Sequence, residues 1–86
     1  MKKNATKDDG IKKLNKALSD ILQISSSEIT DESSPKNTLS WDSYNSLTLI
    51  AEIEKIFKIN FKPGDVSRIK NVGNIKKLLR KHKIKI

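Results

Sequence analysis

Few residues in this 86-residue chain have side chains suited to chemistry. It has no cysteine, which removes a disulfide framework, a thiolate metal site and a thiol nucleophile. His82 is the single histidine, so neither a multi-histidine metal site nor a conventional Ser-His-Asp triad is available. It lies among lysines near the end of the sequence and reads as a solvated surface residue. Ser40, Ser43 and Ser46 have no base in sight to activate a hydroxyl. No catalytic residue and no metal ligand is assigned, and the chain is read as not an enzyme. What remains is one serine in a special position. Asp42 and Ser43 precede the best helical pattern in the chain, in which Leu47, Ile50, Ile53, Glu54 and Phe57 recur at steps of three and four. Only Glu54 breaks that apolar stripe. Asp42 is a good N-cap, because its carboxylate can accept an amide hydrogen of the first turn. Ser43 then falls in the first turn, at the positive end of the helix dipole. A phosphate esterified there would be stabilised by the dipole and by unpaired backbone N–H groups. A serine at a helix start is more often only a cap or a solvated residue.

The elements that position this serine are also helical. A first helix is expected from Asp8 or Asp9 to about Leu22, with Ile11, Leu14, Leu18, Ile21 and Leu22 inward and Lys12, Lys13 and Lys16 outward. From Gln23 to Trp41 the chain is dense in serine, with Pro35 near the middle and no sustained period. A connection of that length is uncommon in a small domain unless it is functional or packs on the core. Ile24, Ile29, Leu39 and Trp41 are spaced like anchors, and a plain mobile linker is the alternative. After Phe57, Ile59 and Phe61 alternate with polar residues over too short a run for a strand, and Pro63-Gly64 marks a turn. A short helical turn is expected around Asp65 to Ile69. Asn71 then caps a last helix to about Lys81, with Val72, Ile75, Leu78 and Leu79 inward. The tail from Lys83 to Ile86 is expected to fray.

These elements make one all-α domain over residues 1–86, with three longer helices, one short one and a long first loop. Its ordered core is expected at about residues 8–81, between fraying basic tails. A chain of this length buries about 60–65% of its unfolded surface, enough for one small core. No apolar run is long enough for a signal peptide or a membrane span, so a cytoplasmic protein without stable membrane insertion is the default.

The net charge of +8 is unevenly spread. Between Asp20 and Glu54 seven acids face Lys36 alone, a net −6 that leaves +14 on the flanks. Ser43 lies inside the acidic segment. A nucleic-acid-binding helical domain would use Lys76, Lys77, Arg80, Lys81, Lys83 and Lys85 on phosphates. Against it, all four aromatics lie outside that cluster and no helix-turn-helix spacing is evident, so nucleic acid is not an expected partner.

Trp41-Asp42-Ser43, followed by Leu47, Ile50, Glu52-Ile53-Glu54 and Phe57, resembles the Asp-Ser-Leu helix of the acyl carrier proteins. In particular it is similar to the free-standing bacterial carriers that read Trp-Asp-Ser before that helix. The run from Ile24 to Ser34 resembles their long first loop. Tyr44 stands where leucine is usual, and the glycine often found upstream of the aspartate is absent. The resemblance spans about residues 8 to 81, and its specific part is Trp41 to Phe57.

The resemblance implies a small four-helix acyl-carrier-like bundle. It implies 4′-phosphopantetheine, taken from coenzyme A by a phosphopantetheinyl transferase and joined to Ser43, with Asp42 serving transferase recognition as well as capping. The thiol of that group would carry an acyl or aminoacyl cargo as a thioester, which accounts for a thioester carrier without cysteine. Loading and transferring enzymes would be the partners, and the gain is the high effective concentration of a tethered cargo. Tyr44, Leu47 and Glu52 are the implied docking residues. A cleft beside Leu47, Ile50, Ile69, Val72 and Ile75 would shelter an acyl chain, although all five read first as ordinary core. Family members usually offer an acidic second helix to basic patches on their enzymes. Here Glu52 and Glu54 are balanced by Lys55 and Lys58, which points to dedicated partners, more hydrophobic or differently charged. A monomer is expected of a carrier that visits several enzymes. The cargo (fatty acid, polyketide unit or amino acid) stays open, as does an unmodified carrier-like binding module.

Overall fold

Leucines four residues apart bring the first helix onto the core. In the computed structural model, which describes residues 7–86, α1 spans Lys7–Leu22 and fully buries Leu14, Leu18 and Leu22. Residues four apart lie one above the other on a helix, so the three form a continuous seam. Ala17 is buried beside them, while Ile11 and Ile21 flank the seam and are only partly covered. The helix already includes Lys7, the first described residue, ahead of the expected Asp8 or Asp9. The basic stretch before it lies outside the described residues.

The long connection has structure of its own. Ser25 and Glu28 cap a 3-10 turn at Ser26–Glu28 reciprocally, the Glu28 carboxylate accepting from the Ser25 amide at 3.3 Å. Further on, the carbonyls of Asp31 and Ser33 accept from the amides of Gly73 and Val72 at 2.9 and 3.0 Å. The loop thereby satisfies first-turn donors of the last helix, and a Lys76–Asp31 ion pair of 2.6 Å adds to the hold. Trp41 is buried and Ile24 and Ile29 are half-buried, as expected of anchors. Leu39 is not an anchor. It sits in a tight turn closed by the Trp41 amide on the Thr38 carbonyl at 2.9 Å, and its side chain is fully exposed.

Helix α2 (Ser43–Phe57) buries Leu49 and Ile53. The expected stripe ran through Leu47 and Ile50, yet Leu47 is 69% exposed and Ile50 only half-buried. Leu47, Leu49 and Ile50 are all apolar, so spacing alone did not choose the inward face; packing on α1 selects Leu49. Lys58, left-handed at φ 56°, ends the helix. Helix α3 covers Pro63–Val66, earlier than the Asp65 to Ile69 expected, because Pro63 is fixed at a helical φ and opens the turn itself. Helix α4 (Val72–Lys81) is capped as expected, the Asn74 amide donating to Asn71 Oδ1 at 2.8 Å, and it buries Val72, Ile75, Leu78 and Leu79.

The C-terminal tail is packed rather than frayed. Lys83 takes φ 66°, the chain turns back, and Ile86 enters the core at 2% exposure while Arg80 Nε donates to its carbonyl at 3.1 Å. The described residues thus form four helices without a strand, the small all-helical bundle that the sequence predicts.

Gly10 is where tail and first helix meet. A methyl group there would be driven into the Lys85 carbonyl oxygen. Helix propensity alone would make Gly10→Ala stabilising by about 1 kcal/mol. Overpacking against backbone costs about 1–3 kcal/mol. We therefore expect Gly10→Ala to lower the urea midpoint and Ile86→Ala to cost about 2 kcal/mol. A raised midpoint for Gly10→Ala would show that the tail does not lie against α1.

Candidate functional site

The first turn of α2 is fixed from two sides. Asp42 is extended (φ −100°, ψ −175°), and its Oδ1 accepts from the Asn45 amide at 2.8 Å. Its carbonyl accepts from the Ser46 amide at 2.8 Å, and the Asn45 side chain donates back to the Ser40 carbonyl at 2.7 Å. Two first-turn donors are left over, the amides of Ser43 and Tyr44, neither of which is bonded within the fold. The Ser43 hydroxyl is therefore exposed on a rigid helix start, with free N–H groups beside it. That arrangement suits an oxyanion esterified to Ser43.

Ser43 also borders a cavity of about 360 Å³ between α2 and α3. Ser46, Leu47 and Ile50 line its α2 side, Val66 and Ile69 the opposite side. Buried Trp41, Leu49 and Ile75 reach it from the core, and Pro35 comes from the loop. No charged side chain lines it. Of the five residues expected in a cleft, Leu47, Ile50, Ile69 and Ile75 meet here. Val72 does not: it is 1% exposed in the core, with its amide spent on the Ser33 carbonyl. Leu47 in turn is surface, not core. Tyr44, 77% exposed, lies one turn before Leu47 on the same helix side. Glu52 is half-buried, and Glu54 Oε2 accepts from the Phe61 amide at 2.8 Å.

The α3 wall of the cavity hangs on a residue that the sequence reading passed over. Asp65 is 4% exposed and is the only buried residue of α3. One carboxylate oxygen accepts from the Lys62 amide at 3.2 Å, and the other meets Lys81 Nζ at 3.2 Å. His82 Nε2 lies 3.7 Å from Asp65, and its ring packs edge-on to Phe61 with centroids 5.7 Å apart. His82 is thus not a solvated surface residue; three quarters of its side chain is covered. An acid two residues after a helix-opening proline is a recognisable first-turn signal. Its distant partners on α4 are not visible in sequence.

No family model matches the chain. It is 36% identical over 62 residues to the acyl carrier protein of Amoebophilus asiaticus, covering 72% of this chain and 78% of that protein. Over 57 residues it is 39% identical to the acyl carrier protein of Brachyspira hyodysenteriae, covering 66% of this chain and 73% of the relative. The chain belongs to the acyl carrier protein family. Membership supports a carrier role, and the all-helical bundle agrees with it. Among the described residues, no helix of this carrier is long and apolar enough to cross a membrane, and no acidic or histidine cluster is built to hold a metal.

Asp65 gives the carrier an acid-sensitive joint. The Lys62 amide, followed by the Lys81 ammonium, holds its carboxyl below the ordinary value of 3.8 against the opposing effect of burial. The unfolded chain therefore takes up this proton first as pH falls. The stability contributed by Asp65 is complete above about pH 4 and is lost as pH drops through the lower folded-state value. Asp65→Asn is expected to be less stable at neutral pH and to show a flatter acid limb in urea denaturation followed from pH 7 to 2. Parallel acid limbs for the two proteins would remove Asp65 as the cause.

Proposed function

We propose that this protein carries an acyl or aminoacyl group on 4′-phosphopantetheine attached to Ser43 and presents it to partner biosynthetic enzymes. The supporting observation is the exposed Ser43 hydroxyl, set at a capped helix start with two free amides and opening onto an uncharged cavity. The residues present fit the group. When bound, phosphopantetheine supplies a terminal thiol for thioester linkage. Ser43 Oγ forms the new bond to phosphorus and loses its proton, while the nucleoside bisphosphate half of coenzyme A departs. Asp42 holds the helix start, so that the hydroxyl and the amides of Ser43 and Tyr44 stay in register, and it is the natural contact for the transferase.

The cavity residues Leu47, Ile50, Ile69 and Ile75 would take an apolar portion of the cargo away from water, each buried methylene contributing about 0.8 kcal/mol. Tyr44 and Leu47 form the apolar contact beside Ser43 that a loading or transferring enzyme would cover. The protein acts as a carrier and not as a catalyst, as a monomer in the cytoplasm.

Two experiments test this reading. After incubation with coenzyme A, magnesium and a broad-specificity phosphopantetheinyl transferase, the intact mass is expected to rise by one phosphopantetheine. Ser43→Ala is expected to show no gain. Absence of the gain with that enzyme and also with the host's own transferase would favour an unmodified binding module. Once modified, Tyr44→Ala is expected to slow cargo transfer by the natural partners several-fold, about 1 kcal/mol for an exposed aromatic contact. Unchanged transfer would remove Tyr44 from the docking surface.

A further inference from the structure

The exposed acids of the segment around Ser43 lie before α2 and not on its outward ridge. Of the seven acids from Asp20 to Glu54, two pair with lysines and three hold backbone amides while keeping their charge. Asp20 pairs with Lys16 and Asp31 with Lys76, while Glu28, Asp42 and Glu54 accept from the amides of Ser25, Asn45 and Phe61. Only Glu32 and the half-buried Glu52 are left over. The bases on α2 and next in sequence to cavity-lining residues behave in the opposite way. Lys55 and Lys58 on α2, Lys36 beside Pro35, and Arg68 and Lys70 on either side of Ile69 are all exposed. None of them makes an ion pair among the described residues.

The outward ridge of α2 shows the consequence most directly. Tyr44 is followed three and four positions on by Leu47 and Thr48, these by Ala51 and Ala51 by Lys55; all are exposed, and Lys58 ends the ridge at the C-cap. Beyond the exposed Asp42 at the N-cap it is apolar beside Ser43 and basic at the far end, and the one acid flanking it, Glu52, is half-buried. We propose that the enzymes serving this carrier meet α2 with an acidic surface containing an apolar socket. Tyr44 and Leu47 enter the socket next to Ser43. Lys55 and Lys58, about 16 and 21 Å further along by helix rise, meet carboxylates of the partner. Lys36, next to Pro35, and Arg68 and Lys70, next to Ile69, are exposed bases adjoining cavity-lining residues and add the same sign. Lys55 and Lys58 are thereby specificity determinants: they attract an acidic partner and repel a basic one.

This inference rests on modification of Ser43, and the test separates the two. Two phosphopantetheinyl transferases serve as probes, one with an acidic and one with a basic carrier-docking face. Each is assayed by kcat/KM on the wild-type chain, on Lys55→Glu/Lys58→Glu, and on Lys55→Gln/Lys58→Gln. Circular dichroism checks that each variant is folded. The wild type is expected to favour the acidic-faced enzyme, with a rate that falls as ionic strength rises. Charge reversal is expected to cost about tenfold or more with that enzyme and to gain with the basic-faced one, and the glutamine variant should lie between. Modification of all three chains with an unchanged preference would overturn the docking inference and leave Ser43 in place. No modification by either enzyme would overturn both.

Discussion

The leucine seam of α1 is the constraint on which the rest of the molecule depends. Leu14, Leu18 and Leu22 are each essentially inaccessible, and the core formed by Leu49, Ile53, Val72, Ile75, Leu79 and Ile86 is assembled around them. Burying three leucines is worth about 5–9 kcal/mol by transfer free energy, comparable to the whole net stability of a small domain. The Lys16–Asp20 pair on the opposite side of the same helix is well exposed at both ends and worth at most about 1 kcal/mol. Apolar burial therefore sets the arrangement, and the abundant charge of this chain decorates it.

That ranking explains how a lysine-rich chain can keep a single serine well placed. Ser43 takes no part in the core. Its position is inherited from Trp41, buried just before it, and from Leu49, buried two turns after it. Asp42 adds the local correction: as the N-cap it makes Ser43 the first helical residue. A capping carboxylate is worth about 1 kcal/mol, too little to hold α2 but enough to choose where it begins. Position is thus set by packing, and the identity of the free amides by the cap.

Much of this was legible in the sequence because the features concerned are local. Asp42 and Asn71 were readable as caps, the α1 seam followed from its four-residue spacing, and Trp41 as an anchor followed from its type and place. What escaped depends on contacts between distant parts of the chain. The choice of Leu49 over Leu47 is made by α1, since both are leucines in a run with apolar residues on two sides. Asp65 and His82 lie 17 positions apart in sequence, and only the return of α4 brings them together. The tail was expected to fray because it is short and half lysine. Yet it alternates Lys83, Ile84, Lys85, Ile86, and the isoleucines turn inward once α1 offers Gly10, where no side chain stands in the way. The cavity beside Ser43 is lined by Leu47, Ile50, Ile69 and Ile75, which the sequence reading also placed near that serine. Leu47 and Ile50 share α2 with Ser43 and Ile69 follows α3 across from them, while Ile75 reaches the cavity from the core and Val72, equally buried, does not.

The cavity is held very differently on its two sides. The α2 side belongs to a helix of 15 residues that buries Leu49 and Ile53 against the core. The α3 side is a helix of four residues, far too short to be stable alone, and its only buried residue is a carboxylate. Polar links to Lys62, Lys81 and His82 are not a substitute for an apolar seam, because each is replaceable by water at small net cost. Segments with few buried apolar contacts open at lower free energy than the core they cover. An opening of α3 would leave the α1 seam, Trp41 and the capped start of α2 intact. The wall of the cavity can therefore yield while the capped start of α2, with Ser43, stays where it is.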